Sequence, residues 1–117
     1  MVRRYAVKRK RSVIRDLAVI RRHLIGAYCD LGEPKADAEA RAAARLRGAA
    51  FYMQSFATHP HRGTAHPDLP GGVRHVTDTD FVYYFTVDDQ RFEVDVVAVF
   101  FGGQNHLRLF RERSAQH

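Results

Sequence analysis

The sequence predicts a small α+β domain in the order strand, helix, helix, three strands, with the helical hairpin packed on a mostly antiparallel sheet. Three observations carry this. Two segments repeat apolar residues at helical steps, a Pro- and Gly-rich stretch over 57–72 breaks both periodicities, and three runs rich in Val and aromatics follow it. The 117 residues fit one domain spanning 1–117, and 45% hydrophobic content is that of a globular chain.

Arg4-Tyr5-Ala6-Val7-Lys8 alternates polar and apolar residues as a short strand does. Ser12 is placed to cap a first helix, whose buried face is Val13, Leu17, Ile20, Leu24 and Tyr28. Gly32 suits a left-handed helix end, and Pro34 suits the first turn of the next helix. That second helix carries Asp37 and Glu39 where its dipole is positive, and a stripe of Ala42, Leu46, Ala49, Met53 and Phe56. So short a connection makes the two helices an antiparallel hairpin.

Strands are expected at 73–77, 81–87 and 91–101. Asp88-Asp89 reads as a two-residue turn, which pairs Val87 with Gln90, Phe85 with Phe92, Tyr83 with Val94 and Phe81 with Val96. One sheet face is then apolar and lies on the helices. The other pairs Tyr84 with Glu93, Val82 with Asp95 and Thr86 with Arg91, polar enough to meet solvent or a partner. Gly102-Gly103 ends the last strand, and 104–117 forms a tail or short terminal helix.

Charge is concentrated at one end. Of 19 Lys+Arg and 13 Asp+Glu, residues 1–22 hold nine bases and one acid, a net of +8; the remainder nets −2. Cys29 is the only cysteine, which excludes an intrachain disulfide and a cysteine-based zinc cluster. Arg15, Asp16, Arg21 and Arg22 interrupt every apolar stretch near the start, against a secretory signal, and no run approaches a membrane span. An Arg-rich, acid-poor start also has the composition of a transit peptide, but the same residues read well as folded structure. The expectation is a cytoplasmic protein without membrane contact or cofactor.

Three stretches, spread over residues 5–105, together resemble the RelE/ParE superfamily, the toxin halves of bacterial toxin–antitoxin pairs. They are Tyr5-Ala6-Val7-Lys8 with Ser12 to Leu17 and Ile20; His59-Pro60 through Gly63, Pro67, Leu69 and Gly72-Val73-Arg74; and Phe85-Thr86-Val87-Asp88-Asp89 with Val97 to Gly102. The ParE-like branch is the closer match. The resemblance implies a toxin neutralised by a cognate antitoxin in a hetero-oligomer, acting either as a poison of DNA gyrase (ParE-like) or as a ribosome-dependent mRNA endonuclease (RelE-like).

The residues lean towards the first. RNA cleavage needs a proton acceptor, a proton donor and a cation for the phosphate. Arg74, Tyr84 and His106 are the candidates, although a strand Arg is as readily paired with an acid, Tyr84 packs equally well across from Glu93, and a tail His is usually a bystander. His75 falls on the opposite pleat from Arg74. Where many relatives carry Tyr-Arg and His-Gly-x-Arg-Asp, this chain has Phe85-Thr86 and Phe101-Gly102-Gly103-Gln104-Asn105, none of which titrates or carries charge. The bases of the second helical segment, Lys35, Arg41, Arg45 and Arg47, are scattered over more than one face.

Other candidates are weighed more briefly. His59, His61 and His66 lie in a Pro/Gly loop without a nearby acid or thiol, so no metal is expected. Lys8, Arg9, Lys10, Arg11 and Arg15, joined by Arg62 and Arg74, are the candidates for contact with the target or with nucleic acid; a solvated basic face is the plainer reading of the run. Leu107, Leu109 and Phe110 put apolar groups on a tail with little of the domain to cover them, and are the candidates for antitoxin contact. A third class, a basic nucleic-acid-binding module without toxicity, needs only the run; expression that leaves growth unslowed would favour it.

Overall fold

The computed structural model describes residues 3–103 and 105–115. Strand β1 (Ala6–Arg9) leads into helices α1 (Arg11–Asp30) and α2 (Lys35–Gln54). Strands β2 (Thr64–Ala65), β3 (Arg74–Asp78), β4 (Phe81–Asp88) and β5 (Glu93–Phe101) follow, and helix α3 (His106–Ala115) closes the chain. The five strands form one sheet in the order β1-β5-β4-β3-β2, antiparallel throughout except that β1 runs parallel to β5. The α+β class, the helical hairpin and the mostly antiparallel sheet are as expected. The two-residue β2 lies inside the stretch read as loop, and the terminal segment is helical.

Helix α1 buries Val13, Ile20, Leu24 and Tyr28, the stripe seen in the sequence. Its N-cap is Lys10 rather than Ser12, whose hydroxyl instead donates to the Val97 carbonyl at 2.6 Å. At the other end Gly32, at φ 95°, donates to the Cys29 carbonyl while Glu33 donates to that of Tyr28. This pair of bonds satisfies carbonyls the helix leaves open, and Gly adopts the required left-handed backbone without strain. Ala38, Ala42, Ala49 and Met53 of α2, with Phe56 just beyond it, complete the helical side of the first core.

The β4–β5 register differs from expectation. Asp88 pairs with Glu93, Val87 with Val94 and Phe85 with Val96. The turn is therefore four residues, held by the Asp88 carboxylate, which accepts from the Gln90 and Arg91 amides at 3.0 Å each. Phe92 takes φ 55°. Between Phe85 and Tyr84 the register slips, leaving Val97 as an extra residue on β5, after which Tyr83 pairs with Val99 and Phe81 with Phe101. Such a bulge shifts which residues face which side. Val94, Val96 and Val99 thus face the helices with Phe81, Tyr83 and Phe85.

The opposite sheet face is consequently covered by α3 over its middle instead of lying open to solvent. Tyr84 pairs with Ala98 and Val82 with Phe100, and Phe110 of α3 covers them with Val73, Leu69 and Leu107 in a second core. Two small cores sandwich one sheet. In the first, the Tyr83 hydroxyl is buried without a hydrogen-bond partner among the described residues. Its ring packs on Tyr52, Phe56 and Phe81. Removing an unpartnered buried hydroxyl while keeping the ring relieves a desolvation penalty. Tyr83→Phe is expected to raise stability by about 1 kcal/mol, seen as a Tm gain of about 4 °C. A lower Tm would contradict this.

Candidate functional site

The second sheet face gathers four polar rings. Thr79 and Asp80 form the β3–β4 turn with φ 46° and 71°, as a tight two-residue hairpin of the I′ type requires, and this register sets His75 opposite Tyr84. The His66 amide donates to the Val73 carbonyl, which brings its buried imidazole over β3. Nε2 of His66 and Nδ1 of His75 share a hydrogen bond of 2.6 Å, their rings stacked at 4.8 Å. His106, the first residue of α3, shares a 2.6 Å hydrogen bond through Nδ1 with the Tyr84 hydroxyl, and its ring lies 5.0 Å from that of His75. Phe110, one turn on, stacks flat on Tyr84 at 4.2 Å and 6°.

Burial shifts the protonation of three of these rings. Desolvation lowers the pKa of His75, helped by His106 and His66, and lowers that of His106, helped by His66. Desolvation pushes the Tyr84 phenol up to about 12, so it stays protonated near neutral pH. A histidine that resists protonation only when folded binds fewer protons folded than unfolded. Its contribution is whole above the ordinary histidine value of about 6.5 and drains away as pH falls below it. Thermal unfolding is therefore expected at steadily lower temperature from pH 6.5 to 5. A His75→Gln/His106→Gln variant should flatten that profile. A wild-type Tm that does not change across this range would contradict the assignment.

Arg74 and His75 do lie on opposite pleats. Arg74 turns to the loop: Nε donates to the Arg62 carbonyl at 2.9 Å, and a terminal nitrogen donates to those of His61 and Gly63 at 2.7 and 3.3 Å. Arg62 reaches back over Tyr52 and Phe56, its Nε donating to the His59 carbonyl. Arg74 therefore fastens the 58–63 loop to the sheet, and Arg62 fastens it to the end of α2. Gly63, at φ 79°, crosses β3 so closely that a Cβ there would sit 2.2 Å from the His75 carbonyl oxygen. Nearby, Asp89 accepts from the Tyr5 hydroxyl at 2.6 Å and contacts His61 Nε2 at 2.8 Å, tying β1 and the loop to the β4–β5 turn. The Tyr5 hydrogen bond, with that of His61, holds the Asp89 carboxyl below its ordinary value.

No family model and no curated protein matches the chain. Solved structures do. A chain of the chromosomal ParDE TA (toxin–antitoxin) system of P. aeruginosa superposes with a TM-score of 0.63 at 18% identity, covering 83% of this chain and 95% of that one. A chain of the toxin–antitoxin complex RelBE2 from Mycobacterium tuberculosis gives 0.55 at 16% identity, covering 86% and 94%. The chain has the RelE/ParE toxin fold.

On this RelE/ParE fold, two of the three candidate ribonuclease residues meet: Tyr84 and His106 share a hydrogen bond, whereas Arg74 is turned away to the loop. His66 and His75 complete the cluster, and the residue pattern alone does not assign them to it; the Thr79-Asp80 turn is the signal that places His75 beside Tyr84. The cluster has groups able to pass protons, but Tyr84 has no exposed surface and Phe110 lies over it. The guanidinium whose charge reaches Tyr84, that of Arg111, pairs with Asp68 at 2.6 Å. Phe101 packs against Phe81 and His23, Asn105 precedes α3, and Gln104 lies outside the described residues.

The three loop histidines scatter: His59 contacts Thr58, His61 contacts Asp89, and His66 joins the ring cluster. Among the described residues no three His, Cys, Asp or Glu side chains converge as metal ligands. No helix among them is long and apolar enough to cross a membrane. The basic run also divides. Lys8 and Lys10 pair with Glu93 and Asp95 of β5, while Arg9, Arg11 and Arg15 are exposed with no acidic partner among the described residues. The tail is covered more than expected, because Phe110 is buried and Leu107 half-buried by the domain itself; Leu109 faces solvent, 41% exposed.

Proposed function

We propose that this chain is the toxin of a type II toxin–antitoxin pair, a ParE-like poison of DNA gyrase held inactive in the cytoplasm by a cognate antitoxin. It acts by contact, stabilising gyrase with its DNA cleaved, and requires no cofactor. One observation carries the choice over a ribonuclease: the Tyr84 side chain is fully buried beneath Phe110 of α3, and Arg74, the candidate phosphate cation, is turned away to donate to loop carbonyls. An RNA-cleaving site needs an accessible general base beside a free cation. The superposition on a chain of the ParDE system agrees with this reading.

The RelE-like reading keeps one observation in its favour, the convergence of His66, His75, Tyr84 and His106. Purified chain added to gyrase and supercoiled plasmid separates the two. Linear DNA trapped on gyrase after detergent and protease treatment is the expected result. Unaffected gyrase together with cleaved mRNA in a translating extract would overturn the proposal.

A further inference from the structure

The nine bases of residues 1–22 are not equivalent once folded. Lys8, Lys10 and Arg21 face Glu93, Asp95 and Glu39, and Arg3 lies over the Phe92 ring. On α1, Arg11, Arg15 and Arg22 are exposed and have no acidic partner among the described residues. At 100° and 1.5 Å per residue they fall within about 40° of one another around the helix and span about 16 Å along it. The acid nearest in sequence, Asp16, points the other way: its carboxylate accepts both terminal nitrogens of Arg113 and the Val99 amide. The ridge therefore carries one sign of charge only. Between its arginines, the residue nearest the same line is the exposed Ala18, too small to hold a partner's backbone away.

We propose that this ridge, Arg11, Arg15 and Arg22, docks on the phosphate backbone of duplex DNA. Guanidinium groups bind phosphate oxygens bidentately, and phosphates follow one another about every 3.4 Å of axis on each strand, so three arginines over about 16 Å meet one strand repeatedly. Contacts to phosphate carry no sequence information, so binding through the ridge is independent of sequence. The choice of DNA over other polyanions rests on the gyrase reading, since that target holds a duplex. The binding run expected at residues 8–15 is thereby shifted: its two lysines are held by β5, and the free cations continue along α1 to Arg22.

The test is fluorescence anisotropy of the full chain with a labelled 20-bp duplex of random sequence, titrated between 50 and 200 mM salt. Wild type should bind with affinity that falls as salt rises. R11A/R15A/R22A should bind at least tenfold more weakly, with the slope of log K against log[salt] shallower by about 3, near 0.9 for each phosphate no longer neutralised. K8A/K10A should retain more of both. Alanine at exposed helix positions favours the helix, so circular dichroism should be unchanged. The same slope in the triple variant, no wild-type binding to DNA, or equal loss on an RNA duplex or polyglutamate each overturns the inference. Gyrase trapping, run in parallel, fails or succeeds separately: DNA binding through the ridge with gyrase unaffected would leave this surface standing and remove the gyrase reading.

Discussion

Gly63→Ala is expected to lower Tm by about 10–20 °C. Two penalties coincide there. A residue with a Cβ at φ 79° costs about 1–2 kcal/mol in the left-handed region. The new methyl would lie 2.2 Å from the His75 carbonyl oxygen, 2.9 Å from its carbon and 3.1 Å from the Val76 Cβ. Two of those neighbours are sheet backbone, so the loop must move, adding about 1–3 kcal/mol of strain. Movement also pulls the Gly63 carbonyl from Arg74 and the following residue, Thr64, from its pairing with His75. Thermal unfolding measured by circular dichroism is the check; a Tm within about 3 °C of wild type would refute the close crossing.

The second large effect is expected at Phe110. Phe110→Asp removes the ring that lies flat on Tyr84 and puts a carboxylate against a buried phenol. Burying an unpaired charge costs far more than letting α3 detach, so the helix should leave while the first core stays folded. Helix α3 contains Arg108, Arg111 and Arg113, all sites for trypsin. When opening is fast, cleavage follows the open population, so a loss of about 3 kcal/mol should speed release of the terminal segment about 100-fold. Leu109→Asp, at an exposed position of the same helix, should change it less than threefold. Equal cleavage of the two variants would mean that Phe110 does not hold α3. Because Phe110 belongs to the domain, its loss should lower stability together with any affinity for an antitoxin, whereas Leu109 should affect affinity alone.

How far the sequence announces this structure depends on the reach of each signal. The α1 stripe, the Gly32 helix end and the break after α2 are local, and a reader of the chain finds them within a residue or two. The β4–β5 register departs from the expected one for a physical reason. Asp88-Asp89 looks like a tight turn, but the Asp88 carboxylate closes a wider one by accepting two amides. Val97-Ala98-Val99-Phe100-Phe101 is apolar at every position, so no alternation marks where the bulge changes face. Arg74 is legible as a strand residue, but its partners are backbone carbonyls, which no side-chain pattern reveals. The ring cluster is harder still, since His66, His75, Tyr84 and His106 meet only after β2, β3, β4 and α3 are placed.

The parallel pairing of β1 with β5 has a consequence for the chain's synthesis. Ala6 to Arg9 find their partners at Glu93 to Val96, and the Lys10 amide binds the Val96 carbonyl. About 87 residues separate each pair, so at 5–20 residues per second β1 waits about 4–17 s for the strand beside it to be made. During that interval α1 and α2 can form, but the sheet they cover does not yet exist. Completion of the first core is thus deferred until β5 has been translated, and a nascent chain that stops short of β5 leaves both β1 and β4 without the strand that joins them.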